Sequence, residues 1–194
     1  MVKVLQVSLL FFVGILAVHG QCPRIIPRSG WAPRESGRLV PVLPIRPAPL
    51  VVVHPTGTAS CTNQADCSAI IRDIQAFQID ANGWADISYH FLVGGDNNIY
   101  QGRGWGRMGE NIGQFTNQAI NIGYIGTFTD ELPAENIAAH LDSLINCGVS
   151  ARALDTTANV VAQCQVTNMV ACDATTIFQW VSEHPRFIET PRPV

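Results

Sequence analysis

The apolar positions of the chain fall into separate runs with two different periods. Leu50-Val51-Val52-Val53 is continuous and bounded by turn formers, the pattern of a strand buried on both faces. From Asn63 to Phe77, Cys67, Ile70, Ile71, Ile74 and Phe77 recur at helical spacing; Thr62 or Asn63 offers a cap, and Asn82-Gly83 ends the element. Ile87 to Val93 alternates, with Ile87, Tyr89, Phe91 and Val93 facing one way and Ser88, His90 and Leu92 the other. A turn cluster over 94–98 leads to Ile99-Tyr100-Gln101 as the hairpin partner. Ile120 to Phe128 predicts a further strand, in which Gly123 and Gly126 permit close backbone approach. Pro133 opens a helix with Ile137, Leu141, Leu144, Ile145 and Gly148 on one face. A last helix follows Asp173 and carries Ile177, Phe178 and Val181 to the stop at Pro185. Strands alternating with helices indicate an α/β sheet packed by helices.

The stretches between these elements are irregular. Residues 29–50 carry Pro33, Pro41, Pro44, Pro47 and Pro49, which exclude helix and predict an extended surface arm. Residues 102–119 are rich in glycine. At the start of the chain, Lys3 precedes an apolar run from Val4 to Val18 that ends at Val18-His19-Gly20. A charged start, a short apolar stretch and a small-residue exit make a secretory signal, so residues 1–20 are expected to be removed and 21–194 to form the mature domain. The run is shorter than the roughly 20 residues a membrane span needs, and no other segment reaches that length.

Charge narrows the partners. Twelve Lys+Arg against fifteen Asp+Glu give a net charge of −3, with no general electrostatic reason to bind nucleic acid. Removing residues 1–20 takes away the single lysine and leaves only arginines as strong cations. Secretion also makes disulfides permissible, and all six cysteines lie in the mature part.

Trp84 to Asp96 (WADISYHFLVGGD), followed by Ile99 to Trp105 (IYQGRGW), resembles the central block of animal peptidoglycan recognition proteins, the short secreted type. Cys22 to Trp31, Val51 to Thr56, Ile120 to Gly126, Asn146 to Val149 and Glu183 to Phe187 are similar to other segments of that family, so the resemblance covers essentially the whole mature chain. It implies a single amidase-like domain: a central mixed sheet flanked by about three helices, with an open ligand groove on one face. It also implies the bridges Cys22–Cys147 and Cys61–Cys67, leaving Cys164 and Cys172.

Enzymatic members of the family are zinc amidases that cut between N-acetylmuramic acid and the L-alanine of the stem, holding the metal with two histidines and a cysteine. Three protein ligands and an open water position are what such hydrolysis requires. By resemblance His54 occupies the first position, Gln163 stands where the second histidine belongs, and Cys172 is the best match to the third, with Ala171 there in an ungapped alignment and Asp173-Ala174 after it in place of Pro-Gly. An amide is a poor zinc ligand beside imidazole or thiolate. Cys164 and Cys172 then have two readings, a third disulfide or substitute thiolates beside His54. The first implies a degenerate metal site and no cofactor; the second implies zinc.

Carried over residue by residue, the groove contacts are His54, Thr56, Gln78, Tyr89, Trp105, Gly106, Arg107, Asn111, Phe115 and Thr116. Gln118 lies where an arginine often accompanies diaminopimelate-containing stems, and Arg107 or Arg103 could supply that charge from the groove edge. The expectation is a secreted, extracellular, non-catalytic pattern-recognition protein. It would bind peptidoglycan fragments and pass the signal to downstream immune proteins. A zinc amidase with displaced ligands and a non-binding regulatory member stand as alternatives.

Overall fold

The computed structural model describes residues 22–35, 37–167, 172 and 176–194. The signal segment 1–20, Ala171, Asp173 and Ala174 lie outside them. Six strands form one mixed sheet: β1 (Ile25–Ile26), β2 (Ala48–Pro55), β3 (Phe91–Val93), β4 (Ile99–Gln101), β5 (Ala119–Tyr124) and β6 (Leu154–Ala162). Their order is β1-β4-β3-β5-β2-β6. Only the β3–β4 hairpin is antiparallel; β2 runs parallel to both β5 and β6. The helices are α1 (Gln64–Asp80), α2 (Glu135–Ala138), α3 (His140–Ser150), α4 (Gln163–Val166) and α5 (Thr176–Ser182).

Strand β2 explains the layering. Val51, Val52 and Val53 are all fully buried, as their unbroken apolar run predicts. Val51 and Val53 join Ile120, Ile122, Phe91 and Val93 in a core against Leu141, Leu144 and Ile145 of α3 and Ile177 and Val181 of α5. Leu50 and Val52 point the other way, onto Ile112 and Phe115. By the two-residue period His54 lies on this second face, where its register partner is Gly123 of β5. Helix α1 is capped by Asn63, whose side chain accepts from the Asp66 N–H, and lays Ile71 and Ile74 against Ile87, Tyr89, Leu92 and Tyr100.

Several expectations are corrected. Ile87 to His90 is not strand, and the alternation breaks: Phe91 and Val93 join the α3 side, whereas Ile87 and Tyr89 pack with α1. Side chains replace ladder partners there. Asp86 accepts the Ile87 N–H, Gln78 accepts the Ser88 N–H, and Arg103 donates to the carbonyls of Asp86 and Ile87. The strand expected over 120–128 ends at Tyr124, before the turn at Gly126 and Phe128, both at positive φ. The helix expected from Pro133 is divided into α2 and α3 at Ala139. Phe77, expected on the buried face of α1, is 62% exposed. Strand β6, with Asp155, Thr156 and Thr157 in its outer half, carries no clear apolar period and was not anticipated.

All six cysteines are paired, as Cys22–Cys147, Cys61–Cys67 and Cys164–Cys172. Among the described residues, no helix is long and apolar enough to cross a membrane.

Candidate functional site

The carboxyl ends of parallel strands are where open α/β sheets accept ligands, and the main groove lies there. A depression of about 920 Å³ is bounded by Thr56 to Ala59 after β2, by the exposed side of α1 and by Trp84, Tyr89 and Asn111. It shares Gly57, Thr58 and Ala59 with a second hollow of about 660 Å³ that reaches Gly126 to Leu132. Through Asn111 it adjoins a third, of about 570 Å³, lined by Phe115 and by Gln165 to Thr167.

Each side chain has a local reason for its position. The hydroxyl of Thr56 accepts the Gly126 N–H at 3.0 Å and contacts the Thr58 hydroxyl at 2.8 Å, tying together the loops after β2 and β5. Gln78 donates to the Ser88 hydroxyl at 3.0 Å and accepts the Ser88 N–H at 2.7 Å, so it fixes the segment that presents Tyr89. Tyr89 lies against Gly123, where a Cβ would stand 3.0 Å from its ring. Its edge meets His54 with ring centroids 5.3 Å apart. Asn111 holds φ at +63°, a left-handed conformation that asparagine tolerates, and so projects its amide between two hollows.

His54 is fully buried, and neither ring nitrogen has a hydrogen-bond partner among the described residues. Burial lowers its pKa to about 4, opposed in part by the nearby amides of Asn121 and Gln163. It is therefore neutral at physiological pH. His90 is a different case. Its Nδ1 accepts the Asn121 N–H at 2.8 Å and its Nε2 stands 2.7 Å from the Arg107 carbonyl, the pattern of a neutral ring protonated on Nε2. Burial brings its pKa to about 3. Burial likewise raises the Tyr89 phenol well above its ordinary range.

Thr56, Gln78, Tyr89 and Asn111 thus share one groove with His54 beneath it, and Phe115 lines the adjoining hollow. Thr116 turns its hydroxyl back to the Gly113 carbonyl. Trp105, Gly106 and Arg107 are not among the residues that line these hollows. The Trp105 ring packs 4.4 Å from that of Phe91 and against Gly148, on the α3 side of the sheet. Arg107 donates to the Val40 carbonyl. Arg103 is buried and engaged with the carbonyls of Asp86, Ile87 and Met108, and Gln118 accepts the Val194 N–H. Neither arginine supplies charge to the groove. Motif reading missed Ile70, Asp73, Phe77 and Trp84 along α1, and Asp130 and Glu131 across from it; the exposure of Phe77 on an otherwise periodic helix is a signal only the fold reveals.

The N-acetylmuramoyl-L-alanine amidase family model matches residues 44–185. A short peptidoglycan-recognition protein of Drosophila simulans is 33% identical over 187 residues, covering 96% of this chain and 99% of its own length. The chain belongs to the peptidoglycan recognition proteins. The structure of bumblebee PGRP-SA superposes with a TM-score of 0.80 at 34% identity, over 88% of this chain and all of that one. That of human PGRP-IBETAC, in complex with glycosamyl muramyl pentapeptide, gives 0.79 at 31% identity over 87% of this chain and 100% of its own.

In this recognition protein the residues at the family's metal position do not fit zinc. His54 offers an imidazole, but Gln163 offers only an amide, and the Cys172 sulfur is bonded to Cys164. A disulfide sulfur is not the thiolate a metal binds. Of the two readings of Cys164 and Cys172, the structure has the bridge. Among the described residues, no three His, Cys, Asp or Glu side chains gather as a metal site.

Proposed function

We propose that this chain is a secreted receptor that binds bacterial peptidoglycan fragments in its groove without hydrolysing them. The observation that carries the reading is the groove itself: a concave surface with polar groups from Thr56, Thr58, Asn82 and Asn111 and an apolar wall from Ile70, Ile74, Phe77 and Trp84. Such a mixture suits a glycopeptide, whose sugars and amides need hydrogen bonds while alanine methyls and sugar C–H faces need apolar contact. The human relative's complex with a muramyl pentapeptide supports this occupant. The absence of hydrolysis is read from the donor set. Neither an amide nor a disulfide sulfur acidifies a metal-bound water, and among the described residues His54 has no carboxylate to orient it. Three disulfides support an oxidising, extracellular location, with downstream immune proteins receiving the signal.

Co-sedimentation with insoluble cell wall tests binding, and incubation with muropeptides and added zinc tests hydrolysis. Retention without release of stem peptide is expected. Asn111→Gly, which removes the amide but keeps the backbone conformation, is expected to weaken retention about fivefold, the worth of roughly 1 kcal/mol of hydrogen bonding. Failure of the wild-type chain to sediment, or zinc-dependent release of the stem, overturns the proposal.

A further inference from the structure

The charge lining the groove is one-sided. Asp73 on α1 stands on one wall, and Asp130 and Glu131 stand in the hollow beyond Thr58. All three are exposed. None of the three hollows has a lysine, arginine or histidine among its lining residues. Among the described residues, none of these carboxylates forms an ion pair; Asp130 accepts only the Thr129 hydroxyl, at 3.2 Å.

The nearby cations are accounted for elsewhere. Arg72, next to Asp73, donates to the Trp31 carbonyl at 2.9 Å. Arg103 is buried among backbone carbonyls, and Arg107 donates to Val40 at 3.1 Å. Beneath Tyr89, His54 is uncharged above about pH 4, so the floor adds no positive charge either.

We infer that the groove selects glycopeptide stems bearing a free side-chain amine over stems bearing an additional carboxylate. The inference rests on the receptor reading and adds to it the charge of the preferred ligand. A lysine ammonium entering the groove meets three carboxylates and no cation. A diaminopimelate side chain brings the same amine together with a carboxylate that finds no partner and is repelled. Because the acids are hydrated, the discrimination is modest and salt-sensitive.

The test is isothermal titration of the mature chain with two synthetic muramyl pentapeptides that differ only at the third stem residue, L-lysine or meso-diaminopimelate. At about 20 mM salt the lysine peptide is expected to bind about fivefold tighter, and at about 0.5 M salt the preference should shrink to twofold or less. Asp130→Asn with Glu131→Gln, and Asp73→Asn separately, should each reduce it. Equal or tighter binding of the diaminopimelate peptide overturns the inference while leaving the receptor reading intact. So does a lysine preference unchanged when all three acids are neutralised. Binding of neither peptide overturns the receptor reading itself, and this inference with it.

Discussion

At the scale of single residues, two arginines four positions apart illustrate how differently one residue type is used. Arg103 satisfies three buried carbonyls, so Arg103→Leu should destabilise the fold by about 3 kcal/mol or more in urea unfolding. Arg107→Ala, at an exposed position, should change it by about 0.5 kcal/mol or less. The two buried histidines predict a pH dependence. Their folded pKa values, about 4 for His54 and about 3 for His90, lie below the ordinary 6.5. The unfolded chain therefore binds more protons in that interval, and stability is lost as pH falls from 6.5 toward 4. The midpoint of thermal unfolding should fall over that range, by an amount corresponding to roughly 3 kcal/mol for His54 alone at the acid end. His54→Phe should flatten part of the decline, since it removes a buried imidazole that has no partner among the described residues. The motif around Tyr89 and Gln78 was legible because those residues act within one short segment. Trp105 was not, because proximity along the chain does not say which sheet face a side chain takes after the tight turn at Gly102 to Gly104.

Secondary-structure elements were legible where a single period decides them. Leu50 to Val53 reads as buried strand because neither face can be wet, and α1 reads as helix because its cap and apolar stripe agree. Strand β6 was not legible. It pairs only with β2, far back in the chain, and its Asp155 to Thr157 segment faces water. Segment 87–90 deceived for the opposite reason: its alternation is genuine, but side chains from α1 and the glycine-rich loop take its backbone groups. Disulfides join elements with unequal leverage. The Cys22–Cys147 bridge ties the arm before β1 to α3 across a separation of 125 residues, whereas Cys61–Cys67 closes only 6. Chain-entropy arguments give about 5 kcal/mol for the former and about 2 for the latter. Replacing each pair by serine should therefore shift the denaturant midpoint more for Cys22/Cys147, measured under identical conditions.

For the whole molecule, the acidic and apolar parts of the groove come from segments well separated in sequence, which is why Asp130 and Glu131 look like ordinary loop acids until the sheet brings them opposite α1. The same topology governs how the structure can be assembled. Val52 lies between Asn121 and Val161, so the most apolar strand has both neighbours drawn from the later part of the chain. A fragment ending at Ser150 would leave one edge of β2 bare, and it should aggregate in size-exclusion and light-scattering measurements. During synthesis, then, the nascent chain carries Leu50 to Val53 out of the ribosome long before anything can cover it. Folding of this protein is in large part a post-translational event, completed in a compartment where chaperones must shield that valine run and oxidases must join the first cysteine to a late one.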